Sequence, residues 1–168
     1  MGTLYLITGP AGVGKSTISN KLAYNVEKSV LLEGDDIYHQ IISGYVSPWK
    51  EGNHLKTFWD VVFSTIDIYL KDGFNVVFNY IIDDEHVKKF KETFKNHKII
   101  FIVLMTDEKT LLERDKQRPL DCQMNDRCIT LLKSFKKKKY DQRFILDTTH
   151  LTANETVYEI LSNTTFRL

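Results

Sequence analysis

Three things are scarce in this chain, and each scarcity excludes something. Cysteine is the first: only Cys122 and Cys128 occur in 168 residues. Their spacing is not the C-x-x-C of a redox or zinc pair, so two reduced thiols are expected, with a regulatory disulfide as the alternative. An excess of charge of one sign is also missing, since 23 Lys and Arg face 22 Asp and Glu for a net charge of +1. The molecule as a whole thus has no electrostatic reason to seek nucleic acid or an anionic membrane. Long hydrophobic runs are absent too. No stretch approaches a membrane span, and the N-terminal apolar run enters a glycine-rich loop too soon for a cleavable signal. A cytoplasmic protein is expected, as a monomer or homodimer.

No repeat or low-complexity linker interrupts the chain, and its length suits a single domain over 1–168. Such a chain buries roughly two-thirds of its unfolded surface, and 42% hydrophobic residues supply the core.

The stretch Gly9-Pro10-Ala11-Gly12-Val13-Gly14-Lys15-Ser16-Thr17 follows the apolar run Leu4-Tyr5-Leu6-Ile7 and precedes Ile18, Leu22 and Val26 at helical spacing. Strand, glycine-rich loop and helix in that order fit the phosphate-binding pattern G-x-x-x-x-G-K-[ST]. Glycines 9, 12 and 14 bring backbone N–H groups up to a phosphate, and the helix start adds its positive dipole end. Lys15 is a mobile point charge for the β- and γ-phosphates. The Ser16 hydroxyl is a candidate ligand of Mg²⁺, and Thr17 a contact to the α-phosphate.

Further strands are read at Ser29–Glu33, Phe74–Phe78, Lys98–Met105 and Arg143–Asp147. Helical patterns separate them, at Ile37–Ile42, His54–Leu70, Asp83–Phe94, Asp107–Gln117, Asn125–Lys138 and Asn154–Leu161. Alternating strands and helices predict a parallel sheet with helices on both faces. In such sheets the chemistry lies beyond the C-terminal strand ends.

Several residues stand at those ends. Asp35 follows the second strand, where a carboxylate orients an acceptor hydroxyl, accepts its proton or holds water on Mg²⁺. Asp36 reads as the cap of the helix beginning at Ile37. Asn79 ends the third strand with an amide in place of a charge, a candidate contact to substrate or metal-bound water. Asp83 and Asp84 read as the first turn of a helix. Arg114 and Arg118 share a helix face before Pro119, in the form of a closing lid over about 114–128. The competing reading is surface pairing, Arg118 with Asp115 and Arg114 with Glu113. Arg127 stands between the two readings. Tyr38, Tyr45, Trp49, Trp59 and Tyr80 cluster around the second and third strands. Trp59 is at core spacing, whereas Trp49 in its loop is a pocket candidate, within an acceptor-binding segment of about 36–60. His39 faces either the acceptor or the solvent. Lys136 to Lys139 read as a solvated helix end.

Together these residues resemble the small P-loop kinases of the adenylate-kinase-like superfamily, across essentially the whole chain. Glu33-Gly34-Asp35 resembles the D-G-D of gluconate kinases and adenylylsulfate kinases. Leu111 to Arg118 resembles the lid of gluconate kinases and of chloramphenicol phosphotransferase. Asp147-Thr148-Thr149-His150-Leu151 is similar to the loop that packs against adenine. The runs Ile7 to Thr17, Gly44-Tyr45…Pro48-Trp49 and Gln123-Met124…Arg127-Cys128 are similar to bacterial gluconate-kinase-like proteins. Asn79-Tyr80 departs from the cysteine-serine-alanine-leucine-lysine stretch of gluconate kinases, and the lid lacks their histidine-phenylalanine.

The resemblance implies a three-layer α/β/α P-loop NTPase fold with a five-stranded parallel sheet in order 2-3-1-4-5 and a short lid. It implies ATP and Mg²⁺ at Gly12 to Thr17, acceptor orientation by Asp35, lid contacts by Arg114 and Arg118, and adenine packing near Thr149 and His150. The expected activity is ATP-dependent phosphorylation of a small-molecule hydroxyl, of a sugar acid or similar. An antibiotic-modifying phosphotransferase and a nucleotide-binding ATPase module are the alternatives.

Overall fold

A computed structural model describes residues 2–120, 123–138 and 140–168. Asp121, Cys122 and Lys139 lie outside the described residues, so the reading of the cysteine pair is carried by Cys128 alone. Its thiol is buried and free, and burial pushes its pKa up.

The sheet is built from β1 (Thr3–Thr8), β2 (Ser29–Glu33), β3 (Asn75–Asn79), β4 (Lys98–Met105) and β5 (Ile145–Asp147). All four pairings are parallel and the order is β2-β3-β1-β4-β5, as the sequence predicts. The helices are α1 (Lys15–Asn25), α2 (Gly34–Tyr38), α3 (Leu55–Lys71), α4 (Asp84–Thr93), α5 (Glu108–Lys116), α6 (Asp126–Lys137) and α7 (Ala153–Ser162).

Strand alternation divides the core in two. Leu4, Leu6, Val76, Phe78, Phe101 and Val103 meet Phe58, Trp59, Val62 and Ile66 of α3 and Phe90 of α4. Ile7, Val77, Ile100, Ile102 and Leu104 meet Ile18 and Leu22 of α1 and Val157 and Ile160 of α7 on the other face. Burial on both faces is why β4 reads as an unbroken apolar run. Trp59 belongs to the core, in accord with its helical spacing. Asp83 caps α4 by accepting from the His86 backbone N–H, and Asp107 caps α5 by accepting from Thr110 N–H. None of the described helices is long and apolar enough to cross a membrane.

Two boundaries differ from the sequence pattern. The helix expected over Ile37–Ile42 instead runs over Gly34–Tyr38, follows Glu33, and has no side-chain cap. Asp36 therefore sits inside its first turn rather than at its cap, and Ile42 is 87% exposed. The cause is tertiary. The Tyr80 ring lies so close to Gly34 that an added Cβ would fall 2.4 Å from it, and the chain turns at once from strand into helix. At the other end, the Tyr38 hydroxyl donates to Val46 O at 2.6 Å and accepts from His54 N–H at 3.1 Å, fastening the loop that follows. The second difference is at β5. Gln142–Phe144 form a 3-10 turn, held by the Asp141 carboxylate accepting from Arg143 N–H, so the strand starts only at Ile145.

Candidate nucleotide and phosphoryl-transfer site

The loop between β1 and α1 is shaped by contacts that leave its amides available. Gly9 has φ 149°, and a Cβ there would lie 2.5 Å from Leu104 O. Gly14, at φ 105° and ψ 20°, precedes α1 and gives it no side-chain cap. The first-turn N–H groups of α1 are thus left for a ligand at the positive end of the helix dipole. Lys15 folds over the loop and donates from Nζ to Gly9 O at 3.0 Å and Pro10 O at 3.1 Å. Burial lowers its pKa from 10.5 to about 8; Asp35 and Glu33 push the other way, and Arg118 reinforces the drop. A phosphate would reverse that shift, because an adjacent anion favours the charged ammonium.

A cavity of about 500 Å³ opens over this loop, in the size range of small-molecule sites. Its floor is Gly12, Val13, Gly14, Lys15, Ser16 and Thr17. Asp35 lies at one end, while Arg114, Gln117 and Arg118 stand along the side. Thr148, Leu151, Ala153 and Thr156 close the other end.

Ser16 Oγ donates to Glu33 Oε2 at 2.7 Å. Glu33 is the last residue of β2 and pairs in register with Asn79 on β3. This hydroxyl–carboxylate pair supplies hard oxygen ligands beside the loop. Among the described residues there is no cluster of three or more His, Cys, Asp or Glu suited to a metal. Mg²⁺ needs no such cluster when phosphate oxygens and water complete its octahedron. Ser16 and Glu33 thus fit Mg²⁺ on a nucleotide. Glu33 adds a carboxylate to the metal candidates Ser16 and Asp35.

The two arginines expected in a lid have separate placements. Arg114 donates from NH1 to Val13 O at 3.0 Å and Thr148 Oγ1 at 2.9 Å, and from NH2 to Thr148 O at 2.7 Å. Burial lowers its pKa. It thus ties the phosphate loop to the segment after β5 and holds that end of the cavity. Arg118 is the arginine closer to Lys15 in effect, and its NH1 pairs with Asp115 Oδ1 at 3.4 Å. The expected Arg118–Asp115 pair is thus present, in a residue that also lines the cavity.

Other candidates are placed away from the opening. Tyr38, 1% exposed, and Tyr80 belong to the core rather than the cleft wall. Burial, and next the Asp35 charge, raise the Tyr80 pKa. Asn79 is 4% exposed, and its Nδ2 has no hydrogen-bond partner among the described residues. Trp49, 63% exposed, lies 3.8 Å from the Arg127 guanidinium, so the loop before α3 meets the start of α6. His39 is exposed and its ring lies 5.6 Å from that of Tyr45. Thr149 is engaged with its neighbours, donating to Asp147 Oδ1 at 2.6 Å and accepting from Asp107 N–H at 3.0 Å. Thr148 and Leu151, beside the expected Thr149 and His150, are the cavity-lining residues of this loop.

Sequence reasoning missed Glu33 and Gln117 as site residues; it placed Thr148 among the polar residues that follow the strands, and Asp115 only as a partner of Arg118. Glu33 carried a usable signal, as an acid ending an apolar strand at the ligand-binding edge. Asp115 gave none beyond its spacing to Arg118.

Structural comparison finds the same fold in several solved structures. The tunicamycin resistance protein of Deinococcus radiodurans superimposes with a TM-score of 0.72 at 16% identity, covering 96% of this chain and 95% of its own. A gluconokinase from Sinorhizobium meliloti 1021 gives 0.67 at 20% identity, with 96% and 90% covered. A sugar kinase from Janibacter sp. gives 0.74 at 13% identity, with 96% and 94% covered. No curated protein matches the sequence. A family model described as AAA domain (AAA_33) matches residues 4–137, most of the chain, with all of β1 but Thr3 and the whole of β2, β3 and β4. On that match, and with this phosphate loop at the centre of a β2-β3-β1-β4-β5 sheet, the chain belongs to this P-loop family.

Proposed function

We propose that this chain is an ATP-dependent phosphotransferase that moves the γ-phosphate to a hydroxyl of a small molecule. One observation carries the reading. A single cavity joins a phosphate loop with Lys15 and Ser16, an acceptor-side carboxylate at Asp35, and a cation at Arg118. A nucleotide-binding module has no need of the last two together.

In this reading the backbone of Gly12 to Lys15 cradles the β-phosphate, and Lys15 releases the Gly9 and Pro10 carbonyls to reach the β- and γ-oxygens. Thr17 touches the α-phosphate. Arg114, Thr148 and Leu151 hold the base end, with Thr149 and His150 behind them. Mg²⁺, when bound, would supply positive charge against the negative charge of the phosphates. Ser16 and Glu33 would hold it, with Asp35 as the further candidate. Asp35 orients the acceptor O–H and takes its proton as the acceptor oxygen forms a bond to Pγ. The bond from Pγ to the β,γ-bridging oxygen breaks, and ADP leaves with that electron pair. Arg118 stabilises charge on the transferring oxygens. The acceptor lies beyond Asp35, toward the 39–54 loop, with Trp49 as a wall. Asn79, Tyr38 and Tyr80 support that wall from the core.

The test is ATP consumption across sugar acids, other polyols, nucleosides and hydroxylated antibiotics. An acceptor found this way should lose turnover by about 10²-fold or more in Asp35→Asn, a general-base loss, with ATP binding kept. Wild-type turnover in Asp35→Asn removes the base assignment, and an unchanged rate in Lys15→Ala removes the whole reading.

A further inference from the structure

Asp115 is an interior carboxylate that the proposed chemistry does not use. It stands in the last turn of α5 and is 2% exposed. A carboxylate removed from water is tolerated only where hydrogen bonds replace its hydration, and here they come from both ends of one excursion of the chain. Oδ1 accepts from Arg118 NH1 at 3.4 Å, where the chain leaves α5. Oδ2 accepts from Met124 N–H at 3.0 Å and Asn125 N–H at 2.8 Å, where the chain returns to start α6. Gln123 closes the same gap, its Nε2 donating to Arg118 O at 2.9 Å.

Two more observations give this carboxylate a mechanical task. Asn125 holds φ 46° and ψ −124°, a corner that favours glycine. Its N–H is one of the two amides that Asp115 binds, so the strained corner is kept in place by that bond. On the opposite side, Asp115 packs on the phosphate loop, where a Cβ added to Gly12 would lie 3.7 Å from the Asp115 Cβ. One side chain therefore touches the loop that holds phosphate, the arginine that lines the cavity and the return of the lid.

We propose that Asp115 is the positioning residue of the lid, fixing Arg118 at the γ-phosphate end of the cavity by clamping both feet of the segment that Arg118 begins. Its pairing with Arg118 uses NH1 alone and is long, so the guanidinium keeps an edge for an incoming phosphate. The inference rests on the phosphotransferase reading, in which Arg118 meets the γ-phosphate.

The test compares ATP and ADP, each with Mg²⁺, by calorimetric titration of the full chain as wild type, Asp115→Asn, Arg118→Ala and the double variant. Only ATP carries the phosphate that Arg118 meets. Arg118→Ala should weaken ATP about tenfold or more, the size of one charge-assisted hydrogen bond, and leave ADP within about twofold. Asp115→Asn should do the same, and the double variant should match Arg118→Ala, because one residue acts through the other. Equal weakening of ATP and ADP in Asp115→Asn, no weakening, or additive losses in the double variant overturn the inference. If Asp115→Asn does not fold, the set is repeated in Asn125→Gly, which takes the corner without strain. A wild type that binds neither nucleotide overturns the phosphotransferase reading itself. ATP loss in Arg118→Ala with full binding in Asp115→Asn overturns this inference alone.

Discussion

The nucleotide end of the cavity and the segment on its proposed acceptor side are built on different principles. At the nucleotide end, Arg114 makes three hydrogen bonds to Val13 and Thr148, Thr148 returns to Met105 O through both its N–H and its hydroxyl, and Lys15 bonds two loop carbonyls. The acceptor side has the long connection between α2 and α3, residues 39–54, without a described helix or strand. Its fixed points are the Tyr38 hydroxyl, a His54 Nε2 contact with Gly44 O at 2.9 Å, and the stack of Trp49 on Arg127. One end is over-determined by partly buried hydrogen bonds, and the other hangs from a few points. That is the division expected of a shared donor and a variable acceptor.

The comparison is broken first at its stiffest point. Gly9→Ala would force a Cβ against Leu104 O at 2.5 Å, at φ 149°. A loss of about 3 kcal/mol or more is expected, seen as a large fall in the chemical-denaturation midpoint. A variant of wild-type stability would mean that the loop is softer than its contacts imply.

Arg114→Ala comes next. It removes a half-buried cation from three acceptors and should cost about 2 kcal/mol, with ATP and ADP weakened together. Loss of ATP alone would put Arg114 on the γ-phosphate beside Arg118.

The Lys15 pKa sharpens the same end. In the free protein it is lowered from 10.5 to about 8. Between those values the unfolded chain holds a proton that the folded chain has released. The lysine's contribution to stability therefore rises with pH across that window. Bound phosphate restores the charge, so nucleotide binding near pH 9 should take up a proton and weaken as pH rises. Titrations in buffers of different ionisation enthalpy measure the uptake, and Lys15→Met should abolish it. A wild type without uptake would place the ammonium in contact with water.

The smallest stability effect is expected on the acceptor side. Trp49→Ala removes an exposed cation–π contact and should cost about 0.5–1 kcal/mol, with nucleotide affinity unchanged. Its effect should appear in the KM for the acceptor. A large stability loss would show that the 39–54 loop is as firmly built as the nucleotide end.

The same contrast governs how much was legible in the sequence. The phosphate loop is local, and its chemistry lies in consecutive residues. β1, β3 and β4 are legible because burial on both faces leaves nearly continuous apolar runs. The 3-10 turn before β5 was not, because Arg143 and Phe144 continue the strand-like composition. The limits of α2 follow from Tyr80 pressing on Gly34, a contact that no window around α2 contains. Glu33 meets Ser16 across 17 positions and Thr148 meets Arg114 across 34. Such partners are assigned by sheet register and crossover, which local pattern does not encode. Asn79 and Tyr80 look like pocket residues because they stand at the end of a strand, and Tyr38 because it is an aromatic beside the second strand, yet their side chains are drawn into the core.

The Tyr38 hydroxyl has a consequence for how this molecule can diversify. By gripping both Val46 and His54 from inside the core, it makes the intervening chain a cassette with its own latch. Length and composition between those grips can drift, or be exchanged in the laboratory, without asking the sheet or the phosphate loop to move. A library restricted to residues 39–53, with Tyr38 retained, is where a new acceptor should be sought.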